Sequence, residues 1–471
     1  MGERQIKWSE VEQHDGREDA APWTVVDGVV YDASDLVRRH PGGDVVRIAL
    51  GREATSLVQS YHPPASMKAV KAYLANKAPR VGVLCSQEVP RANLYPDHRQ
   101  LNHMFRETVR QRAAEKLASL GRAWRGDDTW MAIEVFVSLL LYLTFVFLKG
   151  YTGQWYWSIP GGIIGGRLGF LMHMGLHAGQ GESAFVNKCA GALMDILGAS
   201  SVLWQHDHQV AHHLTPNELG LDNDCEIGYP IMRFHEGLER KWYHKRQDIT
   251  TMVLMSGGLI KWLFSDIFDF IAARVGHVSF HIRTADWFVL LPAKACYVLL
   301  HVYLPAQRFG WTTAILNTVL MMVVASYYLE SIFISNHIQN KLVPPKRADW
   351  AIKQVLGSAN WASGSHVWNF LSGGLNHQVE HHLFPSMCCY NYPYVSDVVK
   401  RTCREFGLPY FNFPSFAEAH SSMRRFLREL GDNDTSDYVH PDLVDDMKRA
   451  DAIRSLATSL EEDSTTAKKD N

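Results

Sequence analysis

The feature that most constrains this chain is a set of apolar runs long enough to cross a bilayer. Residues 130–148 carry Glu134 as their only charge, and about 20 apolar residues are what a helix needs to span the hydrocarbon core. A second run, 156–172, is rich in glycine and carries Arg167; the third and fourth are 287–304 and 311–334. They form two close pairs with tryptophan at their edges, where aromatic anchors sit at a membrane–water boundary. Each has to be helical, because lipid offers no partner to an unpaired backbone N–H or C=O. Polar ends dilute this apolar middle, so the average composition, 46% hydrophobic, looks like that of a soluble protein.

The links inside the pairs, 150–154 and 305–310, are very short. The polar segment between the pairs, about 173–285, holds nine Lys and Arg from Lys188 to Arg283. The positive-inside rule assigns this loop to the cytosol. An even number of spans then leaves both termini there too. The N-terminal MGERQIKWSE is charged and lacks an apolar core, so no secretory leader is expected. Lys plus Arg number 47 against 49 Asp plus Glu, which gives no reason to expect a nucleic-acid partner. The seven cysteines have no paired spacing and are read as reduced thiols, with Cys388-Cys389 as packing residues.

Residues 8–80 mix short apolar runs with helical stretches, and a linker at 81–100 contains Pro90 and Pro96. His40-Pro41-Gly42-Gly43-Asp44 follows a strand-like run, and His62 comes 22 residues later in Tyr61-His62-Pro63. Two neutral imidazoles facing across a flat pocket can take both axial positions of a haem, and paired glycines permit a tight turn before the first. With Trp23, Val25, Val26, Gly28, Val30 and Tyr31 before the motif and Gly51-Arg52-Glu53-Ala54-Thr55 after it, this segment resembles the cytochrome b5 family. That resemblance implies a one-electron carrier with His40 and His62 as axial ligands of haem b.

Three further histidine clusters follow: His173 and His177; His206, His208, His212 and His213; and Gln378, His381 and His382, with His377 just before. Side chains at i and i+4 share a helical face, so one turn can offer two imidazoles to one metal site. That spacing occurs at 173/177, at 208/212 and, with glutamine, at 378/382. Imidazole suits Zn, Cu, Fe and Ni. Zinc has no redox chemistry and would leave a haem donor idle, which favours a redox metal.

The order of haem domain, HxxxH, HxxxHH and QxEHH, with Trp368-Asn-Phe-Leu-Ser-Gly-Gly-Leu-Asn-His-Gln-Val-Glu-His-His-Leu-Phe-Pro385 around the last, resembles the front-end fatty-acid desaturases over residues 8–430. The resemblance implies two non-haem irons, held by His173, His177, His208, His212, His213, His381 and His382, with Gln378 ligating weakly or holding a water. It adds His337 as a further ligand, and it makes Glu380 a residue that orients a neighbouring imidazole. Met174 and Leu176 depart from the acidic and amide residues often found in the first box. His206 offers another register for the second box; His208 keeps the HxxxHH spacing.

The implied fold is a small α+β cytochrome b5-like haem domain fused to an all-α integral membrane domain, 101–430, with four transmembrane helices and a cytosolic di-iron cap. A mobile acidic tail, 431–471, follows. The implied reaction uses O2 and electrons from NADH through cytochrome b5 reductase. It inserts a cis double bond between an existing one and the carboxyl end of a polyunsaturated acyl-CoA or acyl-lipid, at Δ4 in preference to Δ5 or Δ6. Sphingolipid desaturation or acyl hydroxylation on the same scaffold, and a non-catalytic membrane relay with structural zinc, are the other readings. The final Lys468-Lys469-Asp470-Asn471 resembles a retrieval signal of the endoplasmic reticulum membrane.

Overall fold

The computed structural model describes residues 4–17, 20–85, 103–340, 342, 344, 348–432 and 448. Most of the expected linker, and the tail with its lysine pair, lie outside the described residues.

Trp23–Val26 and Val29–Asp32 pair as an antiparallel hairpin. Asp27 and Gly28 both have positive φ, 50° and 75°, the turn whose twist matches that of the flanking strands. Arg80–Leu84 adds to the hairpin antiparallel, and Gln5–Ile6 closes the edge parallel to it. Ile6, Trp8, Val11, Trp23, Val25 and Val30 form the core beneath this four-stranded sheet. Between Val29–Asp32 and Arg80–Leu84 the chain leaves the sheet to build a pocket. Helix Ser34–Arg39 ends at His40, and helix Thr55–Tyr61 ends at His62.

The rest is mostly helical. Among the described residues four helices are long and apolar enough to cross a membrane: Asp128–Thr152, Trp242–Ala272, Thr284–Phe309 and Trp311–His337. Three contain expected spans. The expected span at 156–172 is the helix Ser158–Leu176, whose glycines and Arg167 dilute its apolarity. It packs along Trp311–His337 through a glycine face. A Cβ at Gly162 would stand 2.7 Å from the Met321 carbonyl, and one at Gly166 would stand 2.5 Å from the Tyr328 ring. Small residues that let backbones approach are how helices pack where lipid removes the hydrophobic drive. Arg167 is buried against Glu134, Tyr390 and the Phe370 carbonyl.

Trp242–Ala272 corrects the expectation of a purely polar segment from 173 to 285. Lys261, Asp266 and Asp269 interrupt its apolar sequence, yet Phe264, Phe268 and Ile271 form an exposed apolar stripe. Asp266 is buried in an ion pair of 3.1 Å with Lys294. Its two ends lie on the same side of the bundle. His244 bonds the Pro230 carbonyl and Gln247 the Leu427 carbonyl, near the end of Trp311–His337, while the Val275 carbonyl accepts from Asn223 beside the second histidine cluster. Its middle touches the Trp311–His337 helix further down, where Leu259 N–H donates to Ser326. The segment therefore runs down the bundle and back, beside two helix hairpins, 128–176 and 284–337. Both hairpins turn at the far end, where Asn317 bonds the Gly153 carbonyl, and both open toward the histidines.

Candidate metal centre

His173 and His177 sit on the last turn and cap of Ser158–Leu176. Gln205–His212 is wound as a π-helix, a rare winding that recurs at functional sites, and it carries His208 and His212, with His213 next. His337 ends Trp311–His337, and the short helix Gln378–Leu383 brings Gln378, His381 and His382.

These side chains converge in two groups. One nitrogen from each of His173, His177, His208, His213 and His381 lies within 4.8 Å of the others, and the same holds for His212, His337 and His382. In the first group, Nε2 of His208 stands 3.0 Å from His173 and 3.1 Å from His213, and His381 stands 3.0 Å from His213. In the second, His212, His337 and His382 stand 3.2–3.3 Å apart. Nitrogens about 2.1 Å from one metal at right angles stand about 3 Å apart. Nε2 of His177 is buried without a hydrogen-bond partner. Imidazoles crowded this closely, with the Nε2 of His177 bare among them, fit cations at their centres. Burial holds His177, His208, His213, His381 and His382 well below the usual histidine range, which keeps them in the metal-binding form.

Four of the rings are aimed by partners on their Nδ1 atoms. Tyr61 Oη is 2.7 Å from His177, Gln354 Oε1 is 2.8 Å from His382, the Gly357 carbonyl is 2.8 Å from His337 and Asp222 is 3.0 Å from His212. Burial opposes a proton on His212, but Asp222 and Asp224 outweigh it and raise its pKa to about 9.

Glu380 departs from its expected role. Its carboxylate accepts from Asn360 and Tyr410, not from an imidazole. Burial raises its pKa to about 7 against these two bonds. The expected orienting role falls to Asp222, Gln354 and Tyr61, which lie in no histidine box and leave no spacing signal.

Gln378 stands beside the second group, its amide nitrogen 2.8 Å from His337 Nε2. Trp361 donates to Asn336 Oδ1, so the Asn336 amide group donates to Gln378 Oε1. That chain turns the NH2 of Gln378 toward the site. His206 lies apart, stacked 4.0 Å from Phe280. His377 is tied to Asn369, Asn376 and the Gly364 amide. Cys388 and Cys389 are buried in the apolar core.

In the N-terminal unit the rings of His40 and His62 are 5.8 Å apart. Gly43 has φ 66°, and a Cβ at Gly42 would stand 3.1 Å from the His40 ring; both positions therefore favour glycine. His62 Nδ1 donates to the Val58 carbonyl, which leaves Nε2 bare. Gly42 N–H stands 3.1 Å from His40 Nδ1 and donates to it. The arrangement fits a metal carried between two imidazoles.

Residues 161–414 match the family model described as fatty acid desaturase, and residues 7–85 match that described as cytochrome b5-like heme/steroid binding domain. The chain is 29% identical over 467 residues to Delta(5) fatty acid desaturase A of Dictyostelium discoideum, covering 94% of this chain and 96% of the relative. It is 29% identical over 428 residues to the chloroplastic acyl-lipid (7-3)-desaturase of Chlamydomonas reinhardtii, covering 86% and 80%. It is 28% identical over 450 residues to the acyl-lipid (8-3)-desaturase of Mortierella alpina, covering 90% and 96%.

Proposed function

The chain belongs to the fatty acid desaturase family, and on that premise we propose that it is a front-end desaturase acting on a polyunsaturated acyl chain. As a member it is an oxidoreductase with an attached haem unit and a membrane-embedded body. The observation that carries the metal chemistry of this reading is the convergence of eight histidine nitrogens in two adjoining groups, and its front-end character is supported by the desaturase relatives.

His173, His177, His208, His213 and His381 hold one iron, and His212, His337 and His382 hold the other. Bound there, the pair supplies two-electron chemistry with O2. The protein's residues do the rest. Tyr61, Gln354, Asp222 and the Gly357 carbonyl fix the ring tautomers so that Nε2 faces inward. Gln378, its NH2 held inward by Asn336, donates to a water at the second iron in place of binding the metal itself. Burial of the whole cluster excludes bulk water from the reacting carbons.

Electrons enter from NADH through a cytochrome b5 reductase to the haem held by His40 and His62. The helix hairpins cross the endoplasmic reticulum membrane with the site and both termini cytosolic. The double bond forms between an existing one and the carboxyl end. The relatives' names, Delta(5), (8-3) and (7-3), do not agree on one position, so the expected Δ4 preference stands as a proposal for the test below.

Yeast expressing the chain, fed 20- and 22-carbon polyunsaturated acids, tests this by methyl-ester analysis with double-bond location. A new bond nearer the carboxyl than any existing one is the expected product. A hydroxylated acid, a desaturated sphingoid base or no product from haem-loaded protein rejects the front-end assignment.

A further inference from the structure

The haem unit is seated on the histidine cluster, and one side chain joins the two. Tyr61 immediately precedes His62 and is buried. Its hydroxyl oxygen lies 2.7 Å from Nδ1 of His177, whose Nε2 belongs to the five-histidine group. With Nε2 bare toward a metal, the proton sits on Nδ1 and is donated to the Tyr61 oxygen. Around this contact Ile48, Leu57 and Tyr61 pack against Val210 and Leu214 of the second box, and Ser386 donates to the Ser60 carbonyl. The path from the His62 ring to the His177 ring crosses one peptide bond and one hydrogen bond.

We propose that Tyr61 is the internal link by which the haem unit delivers electrons to the histidine cluster, and the positioning residue that holds His177 in its ligating tautomer. This rests on the desaturase reading for the two metal groups it connects. The step balances simply: one electron leaves ferrous haem, one ferric iron at the cluster becomes ferrous, no bond forms or breaks, and Tyr61 keeps its proton. Two such transfers load the site. The link is internal to the chain, so a freely diffusing haem protein that lacks this tyrosine contact is a poorer donor to the same cluster.

The test uses full-length, haem- and iron-loaded protein in lipid nanodiscs, without O2. Photoreduction of the haem is followed by the return of its ferric spectrum as the cluster takes the electron. Tyr61→Phe keeps the ring and its packing and removes only the oxygen. The expected result is transfer slowed on the order of tenfold, the scale seen when a metal ligand's hydrogen-bond partner is lost. The haem potential stays unchanged, and the spectroscopic signature of the iron shifts. Direct chemical reduction of both centres by dithionite, followed by addition of O2 and acyl substrate, then restores product to near the parent level.

An unchanged transfer rate in Tyr61→Phe overturns the proposal. So does loss of iron with normal transfer per loaded centre, which would make Tyr61 an anchor alone. Parent protein that passes the electron but yields no product with dithionite and O2 leaves the link standing and rejects the desaturase reading. Parent protein whose haem passes no electron rejects the link.

Discussion

Asp222 shows how much one carboxylate can decide. It is fully buried, accepts from His212 Nδ1 and also receives the Asn217 amide. Replacing it with asparagine keeps the shape but removes the charge that outweighs burial at His212. Outer partners of this kind typically cost 10–100-fold in metal affinity or activity when lost. Asp222→Asn is expected to lower iron content toward one per chain and to cut product by that factor, measured by metal analysis beside methyl-ester analysis. His40 gives a second expectation. Burial, then the neighbouring His62, lowers its pKa from 6.5 to about 4 in the folded unit. A group with a depressed folded pKa and a neutral folded form contributes stability that is present above the unfolded value of 6.5 and is lost as pH falls through about 4. Protonation also competes for the nitrogen that binds iron. The stability of the haem-free protein, followed by thermal unfolding, is therefore expected to fall between those two values, and unchanged stability down to pH 4 would contradict it. The histidines themselves were legible, since i, i+4 pairs recur three times in one chain, each beside an apolar span. Tyr61, Gln354 and Asp222 were not, because each reaches its ring by a single contact from a distant stretch of chain that carries no repeat. Glu380 misled for the complementary reason: it lies in the box by sequence but turns to Tyr410 and Asn360.

Among the elements, the glycine face of Ser158–Leu176 matters because this helix ends in His173 and His177. A side chain at Gly162 has no space, with Met321 O at 2.7 Å and the Val324 side chain at 2.6 Å. Gly162→Leu is expected to cost about 1–3 kcal/mol by overpacking and to displace both ligands, although it lies far below the site. Thermal unfolding in detergent and iron content should fall together. The re-entrant course of Trp242–Ala272 is separately testable. In a cysteine-free background, single cysteines replacing Glu239 and Arg274 should be labelled from the same side of sealed microsomes by an impermeant maleimide. Labelling from opposite sides would show that the segment crosses. The sequence hid this element because three charges break its apolar run, and only the fold shows that Asp266 is neutralised by Lys294 from the next helix. The two hairpins were easier to read: apolar runs of that length with a single charge each have few soluble uses.

For the whole molecule, what holds the haem unit on the membrane body decides how electrons arrive. Asp44 lies 3.5 Å from Arg283 and 4.0 Å from Lys188, but its side chain is half exposed. Exposed pairs of this kind contribute about 0–1 kcal/mol and are screened over a Debye length of about 8 Å at physiological salt. The packing of Ile48, Leu57 and Tyr61 on Val210 and Leu214 is dry and does not depend on salt. Burying a leucine side chain contributes about 1.5–3 kcal/mol, so the apolar contact dominates and the charges guide orientation. Asp44→Asn, or raised salt, is accordingly expected to change haem-driven product formation by less than about fivefold. Leu57→Asp is expected to undock the unit. Transfer from haem to the cluster would then become slow, while the haem spectrum persists and hydrogen exchange rises across 207–214. If Asp44→Asn abolished transfer and Leu57→Asp left it intact, the units would be held by charge, and the short path through Tyr61 would exist only at low salt.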